Sequence, residues 1–399
     1  MSELARRIGI TIGALLIFRL GSYIPLPGID AQGVRLLPVS FGRISILSLS
    51  LTSYLSAAIF IQLVSLVWRR LSALERSGEA GRRRIAWVTL ALTLAIAAFQ
   101  AFGVASAMQN IRGLIAEPGG GFLLSATASM VGGVFFLVWL SELITRHGIG
   151  NGIAVILSVA IITSLPPEFV VSLELVRQGA ISPNDLWRDT ILWLALVPVI
   201  VLVESARRNV PVQYVARQVG RRLLPPRSSV LPIKLNSAGF LVPTTVTPWI
   251  IFLPLAAATF GLGQTPWLAA AYEQMQFART AHIVLGAVLV FVLAFIYTAN
   301  VLDPERAAET LQEQGGAIPG VSPGEATADH LDRVVTLTTA IGAAWLVAIS
   351  FLPEALVAGG VLLPYKMGGG SALIVVCTIL DIRTQARDLR RAGRGGERR

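Results

Sequence analysis

Apolar residues fill this chain in blocks of about twenty, separated by short polar segments. Ten such blocks can be marked, at roughly 8–26, 44–68, 86–109, 121–145, 152–172, 187–205, 238–261, 280–302, 334–352 and 361–382. One bilayer crossing takes about 20 predominantly apolar residues, so each block is long enough to span a membrane as a helix. The pattern predicts an all-α membrane protein of ten transmembrane helices. The second block, ISILSLSLTSYLSAAIFIQLVSLVW, differs from the rest because hydroxyls lace its first half. Ser45, Ser48, Thr52 and Ser56 recur at helical spacing, which predicts one polar stripe on one helix face. Beyond Ser56 the same helix turns apolar at Ile59, Phe60 and Leu63. Two uses are open for such a stripe: packing between helices, or lining water above an apolar constriction.

Composition agrees with the pattern. The 399 residues are 54% hydrophobic and 14% charged, with mean hydropathy +0.68, which is too apolar for an ordinary soluble globule. The net charge of +10 matters less than where it falls. With the N-terminus inside, 25 of the 33 Lys and Arg fall on the cytoplasmic side, 7 fall outside, and Arg19 lies in the first span. That asymmetry predicts both termini in the cytoplasm. The first block has no small-residue cleavage site and runs into the turn YIPLPG, so it is expected to be a retained helix. Cys377 is the single cysteine, which excludes an intramolecular disulfide.

Four cytoplasmic segments stand out: 69–84, 206–234, 303–333 and the tail from Arg383. The 206–234 loop carries seven Lys and Arg and no acid, whereas 303–333 has seven Asp and Glu against Arg306 and Arg333. Both are longer than a helix connection requires, so each is expected to do more than join spans. The tail, ending RRAGRGGERR, is expected to be disordered. Five spans precede the external stretch 173–186 and five follow it, so the second half enters from the opposite side. This predicts an inverted repeat, with halves 1–172 and 173–399 and a working site at the seam between them. Gly and Pro punctuate the spans, as in HGIGNGI (147–153) and NSAGFLVPTTVTP (236–248), and permit close helix approach or interrupted helices.

No enzyme signature is present. His147, His282 and His330 lie far apart near span ends, where interfacial or solvated roles are expected rather than metal ligation. There is no HExxH, no paired-cysteine zinc pattern and no phosphate loop, and the glycine runs at 119–121 and 368–370 lack the Lys, Ser or Thr of a phosphate cradle. Glu142, Glu204 and Asp381 sit toward cytoplasmic span ends and form no buried proton relay in the sequence pattern. No catalytic residue, metal or cofactor is expected.

Seven stretches, taken together and in order, resemble the SecY family, the central subunit of the protein-conducting channel. They are FRLGSYIPLPGID (18–30), SYLSAAIFIQL (53–63), SGEAGRRR (77–84), ITRHGIGNGI (144–153), QVGRRLLP through LPIKLNSAG (218–239), YTANVLDPERAAETLQEQGGAIPG (297–320) and GGGSALIVVCTILD (368–381). The resemblance implies an hourglass channel between the two halves, with a ring of apolar side chains at its waist. On this chain the ring would be Leu55 and Ile59, Leu157 and Ile161, Thr245 or Val246, and Ile374. A lateral gate between the second and seventh spans would include Ser56, Gln62 and Asn236. Arg217, Arg221 and Arg222 would dock a ribosome or the SecA motor. The resemblance further implies SecE-like and SecG-like small membrane subunits, secretory polypeptides as clients, and residence in the cytoplasmic membrane.

Some positions depart from the family pattern. Only thirteen residues separate Asp30 from Ile44, fewer than the family's plug helix needs. The turn PGVSPG (319–324) carries Ser322 where the family has Arg, the seventh span has one extra residue, and Thr245 would place a hydroxyl in the ring. These features point to a divergent or accessory member. Two rivals follow from the same sequence: a secondary transporter of a small solute, which would need an ionisable midplane site, and a channel-like scaffold that has lost transport.

Overall fold

The computed structural model describes residues 3–30, 45–68, 71, 74, 77–109, 111, 113–214, 217–219, 222–224, 227–243, 266–276, 278–360 and 369–396. The helices are α1 (Glu3–Gly21), α2 (Thr52–Val67), α3 (Glu79–Gln109), α4 (Gly120–His147), α5 (Gly152–Arg177), α6 (Pro183–Ser205), α7 (Pro266–Gln274), α8 (Thr280–Val301), α9 (Pro304–Glu313), α10 (Glu325–Ala358) and α11 (Gly369–Gly396). Five strands interrupt them: β1 (Arg207–Tyr214), β2 (Arg217–Val219), β3 (Arg222–Leu224), β4 (Arg227–Lys234) and β5 (Gly316–Ala317). Among the described residues six helical segments are long and apolar enough to cross a membrane, including α3 to α6 and α10. Large apolar side chains such as Trp87, Leu124 and Leu202 stand exposed on these helices, which suits a lipid surround rather than water.

Two compact units share the chain. The first comprises 1–186, 255–268 and 378–399, and the second 187–254 and 269–377. In the first unit α4 is the hub, packing against α1, α2, α3 and α5. Small residues set that spacing: Ala101 and Ala105 on α3 and Ala126 on α4 are fully buried, around Met130, Leu26 and Phe122. The glycines of HGIGNGI make the turn from α4 into α5. Gly150 adopts φ +85, which a side chain would strain. Asn151 caps α5 by accepting hydrogen bonds from the Ile153 and Ala154 amides at 3.1 and 3.4 Å. Thr11 of α1 accepts from the Ile149 amide at 2.9 Å, tying the turn to the first helix.

In the second unit α8 packs along α10, with Gly286 admitting the Phe351 ring. The two long segments at one end of these helices fold together. β1 pairs with β4 over all eight residues, from Arg207 opposite Lys234 to Tyr214 opposite Arg227, and β5 adds to the other edge of β1. Val210 and Val212 alternate inward from β1 and meet Ile233, Ala308, Leu311, Ile318 and Leu331 in one small core. Segments 206–234 and 303–333, loops by sequence, thus form a single β/α element with α9 capped by Asp303 and started by Pro304. The sequence reading of a disordered tail is corrected as well, since α11 continues past Arg383 as helix to Gly396. Its Gln385, Arg387 and Arg390 to Arg391 hold good helix-forming side chains, and that local propensity outweighs the charge.

Candidate functional site

The apolar ring positions fall on three helices. Leu55 and Ile59 lie one turn apart on one face of α2, Leu55 buried and Ile59 half-buried. Ser53 fixes that helix against α3 by donating to Gln100 Oε1 at 2.6 Å. Leu157 and Ile161 stand in the same relation on α5, again with the first buried and the second half-buried. The neighbouring Ser158 donates to Thr378 Oγ1 at 2.8 Å, and Thr378 to the Ala154 carbonyl at 3.3 Å, so α5 is keyed to the later turns of α11 within the first unit. Ile374 is buried on the part of α11 that belongs to the second unit, beside Leu373 and Val376. Thr245 and Val246 lie outside the described residues.

The hydroxyl stripe predicted on the second span does not form as drawn. α2 begins at Thr52, and Ser45 and Ser48 belong to the turns before it. Ser48 donates to the Ser45 carbonyl at 2.6 Å and accepts from the Ser45 amide at 2.8 Å, while Thr52 donates to the Leu49 carbonyl at 2.8 Å. Short hydroxyl side chains prefer such local backbone bonds to a helix interior, which is why the segment turns rather than winds. Ser56 remains on α2, buried, with Gln62 half-buried two turns on.

Asn236 sits at the exit of β4, buried, and donates to Glu204 Oε1 at 2.8 Å, while its own carbonyl oxygen accepts from the Gly239 amide at 2.9 Å. Glu204, at the end of α6, also receives Trp345 Nε1 at 3.3 Å, and Cys377 Sγ lies 3.5 Å from its other oxygen. One carboxylate thereby joins α6, the start of the seventh span, α10 and α11 inside the second unit. By sequence Glu204 is a span-end acid with no assigned part. Its one readable signal is position, since an acid ending an apolar run needs donors nearby.

His282 is a second correction. It is expected at an interface or in solvent, yet it is fully buried, with Nδ1 2.8 Å from Glu354 Oε2 and its ring edge-on to Phe351. The apolar run FLPEALVA holds Glu354, and an acid inside such a run calls for a buried partner.

Arg217 opens β2 and Arg222 opens β3, where Val219 pairs with Arg222 at the far end of the hairpin; Arg221 lies outside the described residues. Separately, a cleft of about 670 Å³ between α9 and α10 is lined by Asp303, Glu305, Glu309, Glu325, Asp329 and Asp332.

Comparison with known proteins gives these features a common origin. A family model described as SecY matches residues 45–383. The protein translocase subunit SecY of Escherichia coli K12 is 37% identical over 410 aligned residues, covering 98% of this chain and 92% of the relative. That of Vibrio cholerae is 36% identical, covering 96% and 91%. Among solved structures, a protein-conducting channel superposes with a TM-score of 0.70 at 15% identity, over 97% of this chain and 93% of the other. Sec61 from a canine ribosome-channel complex gives 0.66 at 14% identity, over 97% and 93%. The fold is thus the all-α, ten-helix architecture of these channels. With a family match across most of its length and relatives above one-third identity over nearly all of it, the chain is a membrane protein that belongs to the SecY family.

Proposed function

We propose that this chain is the channel-forming subunit of a translocase, which passes unfolded polypeptides across the cytoplasmic membrane and releases apolar helices sideways into lipid. The observation that carries this reading is the 37% identity to a protein translocase subunit over 98% of the chain. The chemistry is passage, with no bond made or broken. Leu55, Ile59, Leu157, Ile161, Ile374 and one of Thr245 or Val246 form the waist. Such a ring closes round an extended peptide while a continuous file of water, and with it ions, is disfavoured by dewetting and desolvation. Ser56, Gln62 and Asn236 belong to the gate. A segment of about 20 apolar residues that reaches it gains about 25 cal/mol per Å² on entering lipid.

SecE-like and SecG-like subunits brace the two halves. Arg217, Arg221 and Arg222 meet the SecA motor or a ribosome, for which guanidinium suits both carboxylate and phosphate. Both termini lie in the cytoplasm, following the excess of Lys and Arg on that side. Proteoliposomes carrying the purified chain with its copurifying small subunits test the reading. A secretory precursor supplied with motor and ATP becomes protected from added protease if the chain conducts polypeptide; protection no greater than in empty vesicles contradicts it.

A further inference from the structure

A cleft of about 610 Å³ opens in the second unit between the root of the hairpin and one face of α10. Arg207, Arg208 and Arg333 line it together with His330, and no carboxylate does. No ion pair among the described residues engages any of the three arginines, and all three side chains are exposed. Asp329 and Asp332, the acids beside Arg333 in sequence, line the separate acidic cleft on α9's side of α10, and Glu204, three residues before Arg207, is bonded to Asn236 and Trp345 instead. Among the described residues the three cations are therefore gathered on one face with no ion pair.

Below the cations the lining becomes apolar. His330, Val334, Leu337 and Ile341 recur at helical spacing and form one ridge down α10. Leu337 is 64% exposed and Ile341 48% exposed. Thr338, the polar residue beside them, spends its hydroxyl on the Val334 and Val335 carbonyls of its own helix. From Arg333 to Ile341 the ridge descends about 12 Å at the rise of an α-helix. Arg207 and Arg208 follow the apolar span α6 directly, and Arg333 is the last charge before the apolar run of α10. All three thus stand at the boundary between membrane and water, with the ridge reaching into the hydrocarbon.

We propose that this cleft is a binding site for an anionic glycerophospholipid. The phosphate is held by Arg207, Arg208 and Arg333, His330 adds a hydrogen-bond donor, and an acyl chain lies on Val334, Leu337 and Ile341. Charge selects the head group, because three clustered guanidiniums favour a net negative ligand over a zwitterion. The ridge selects a lipid over a soluble phosphate, because Leu337 and Ile341 stand exposed beside the cations. The occupied site would anchor the root of the hairpin, and with it the segment leading to Asn236, at the level of the head groups.

Native mass spectrometry of the full chain with its copurifying subunits, in neutral detergent, tests this. Phosphatidylglycerol is titrated against phosphatidylcholine with the same acyl chains. One phosphatidylglycerol is expected to bind in preference, and free glycerophosphate to leave it bound. Replacing Arg207, Arg208 and Arg333 together by Gln should lower affinity for phosphatidylglycerol by roughly a hundredfold and leave phosphatidylcholine unchanged. The pair Leu337→Asn and Ile341→Asn, which keeps every charge, should weaken binding too. Equal affinity for the two lipids in the unaltered chain overturns the site, as does displacement by glycerophosphate. A photoreactive residue at position 337 gives a readout independent of the folding of these variants. Capture of phosphatidylglycerol supports the site, and capture of a small membrane subunit in its place overturns it.

Discussion

His282 Nδ1 and Glu354 Oε2 lie 2.8 Å apart between α8 and α10, with both side chains buried. A polar pair sealed in an apolar helix contact is stable only while both members are present, since either alone leaves an unsatisfied group. Glu354→Leu should therefore lower stability by about 1–3 kcal/mol, read as a fall in the thermal unfolding midpoint in detergent. Glu354→Gln, which keeps a hydrogen-bonding oxygen, should cost less. Adding His282→Leu to Glu354→Leu should recover part of the loss, as apolar replacement of a whole buried pair often does.

The Glu204 carboxylate holds more partners than any one of them holds. Glu204→Ala strands Asn236 Nδ2 and Trp345 Nε1 together, whereas Asn236→Ala removes a single bond to it. Loss of a bond to a charged acceptor costs about 1.5–3 kcal/mol. Glu204→Ala should then destabilise more than Asn236→Ala. It should also speed tryptic cleavage at Arg207 and Arg208, where the hairpin leaves α6. Equal cleavage rates would show that the carboxylate does not hold this junction.

The turn into α5 offers a smaller, local test. Asn151→Ala removes a cap that satisfies two amides and should cost about 1 kcal/mol. Asn151→Asp, which keeps an accepting oxygen at a helix N-terminus, should be near neutral in the same unfolding measurement.

Much of the architecture was legible because hydropathy in lipid is a strong constraint: every backbone polar group must bond within its own segment, so apolar length predicts helix. Nine of the ten blocks coincide with described helices, and the seventh, 238–261, falls largely outside the described residues. What resisted reading were groups whose partners are distant in sequence. Val210 and Val212 look like isolated apolar residues until β5 and α9, a hundred residues on, close over them. His282 and Glu354 are separated by 72 residues, and neither has a local feature that names the other. Ser45 and Ser48 failed differently. Their spacing fits a helix, but their hydroxyls bond the backbone at shorter range and end it. The docking role proposed for Arg217, Arg221 and Arg222 rests on the family resemblance together with their charge.

If the waist seals the resting channel, Ile374→Gly should raise the ion conductance of planar bilayers containing the complex, because removing a buried apolar side chain from the ring admits water. An unchanged baseline current would remove Ile374 from the seal.

Charge reversal at Arg221 and Arg222 tests docking. Arg221→Glu with Arg222→Glu should weaken binding of SecA or ribosomes and flatten its dependence on salt, since fewer ionic contacts release fewer counterions. Unaltered affinity and slope would assign these arginines to membrane topology instead.

The most direct measurement places a photoreactive residue at Leu55 or at Ile374 and arrests a secretory polypeptide partway through the membrane. The proposed conduction predicts crosslinks to the arrested chain from both positions. An absence of crosslinks at both, in a preparation where the precursor is engaged, would contradict conduction through this waist.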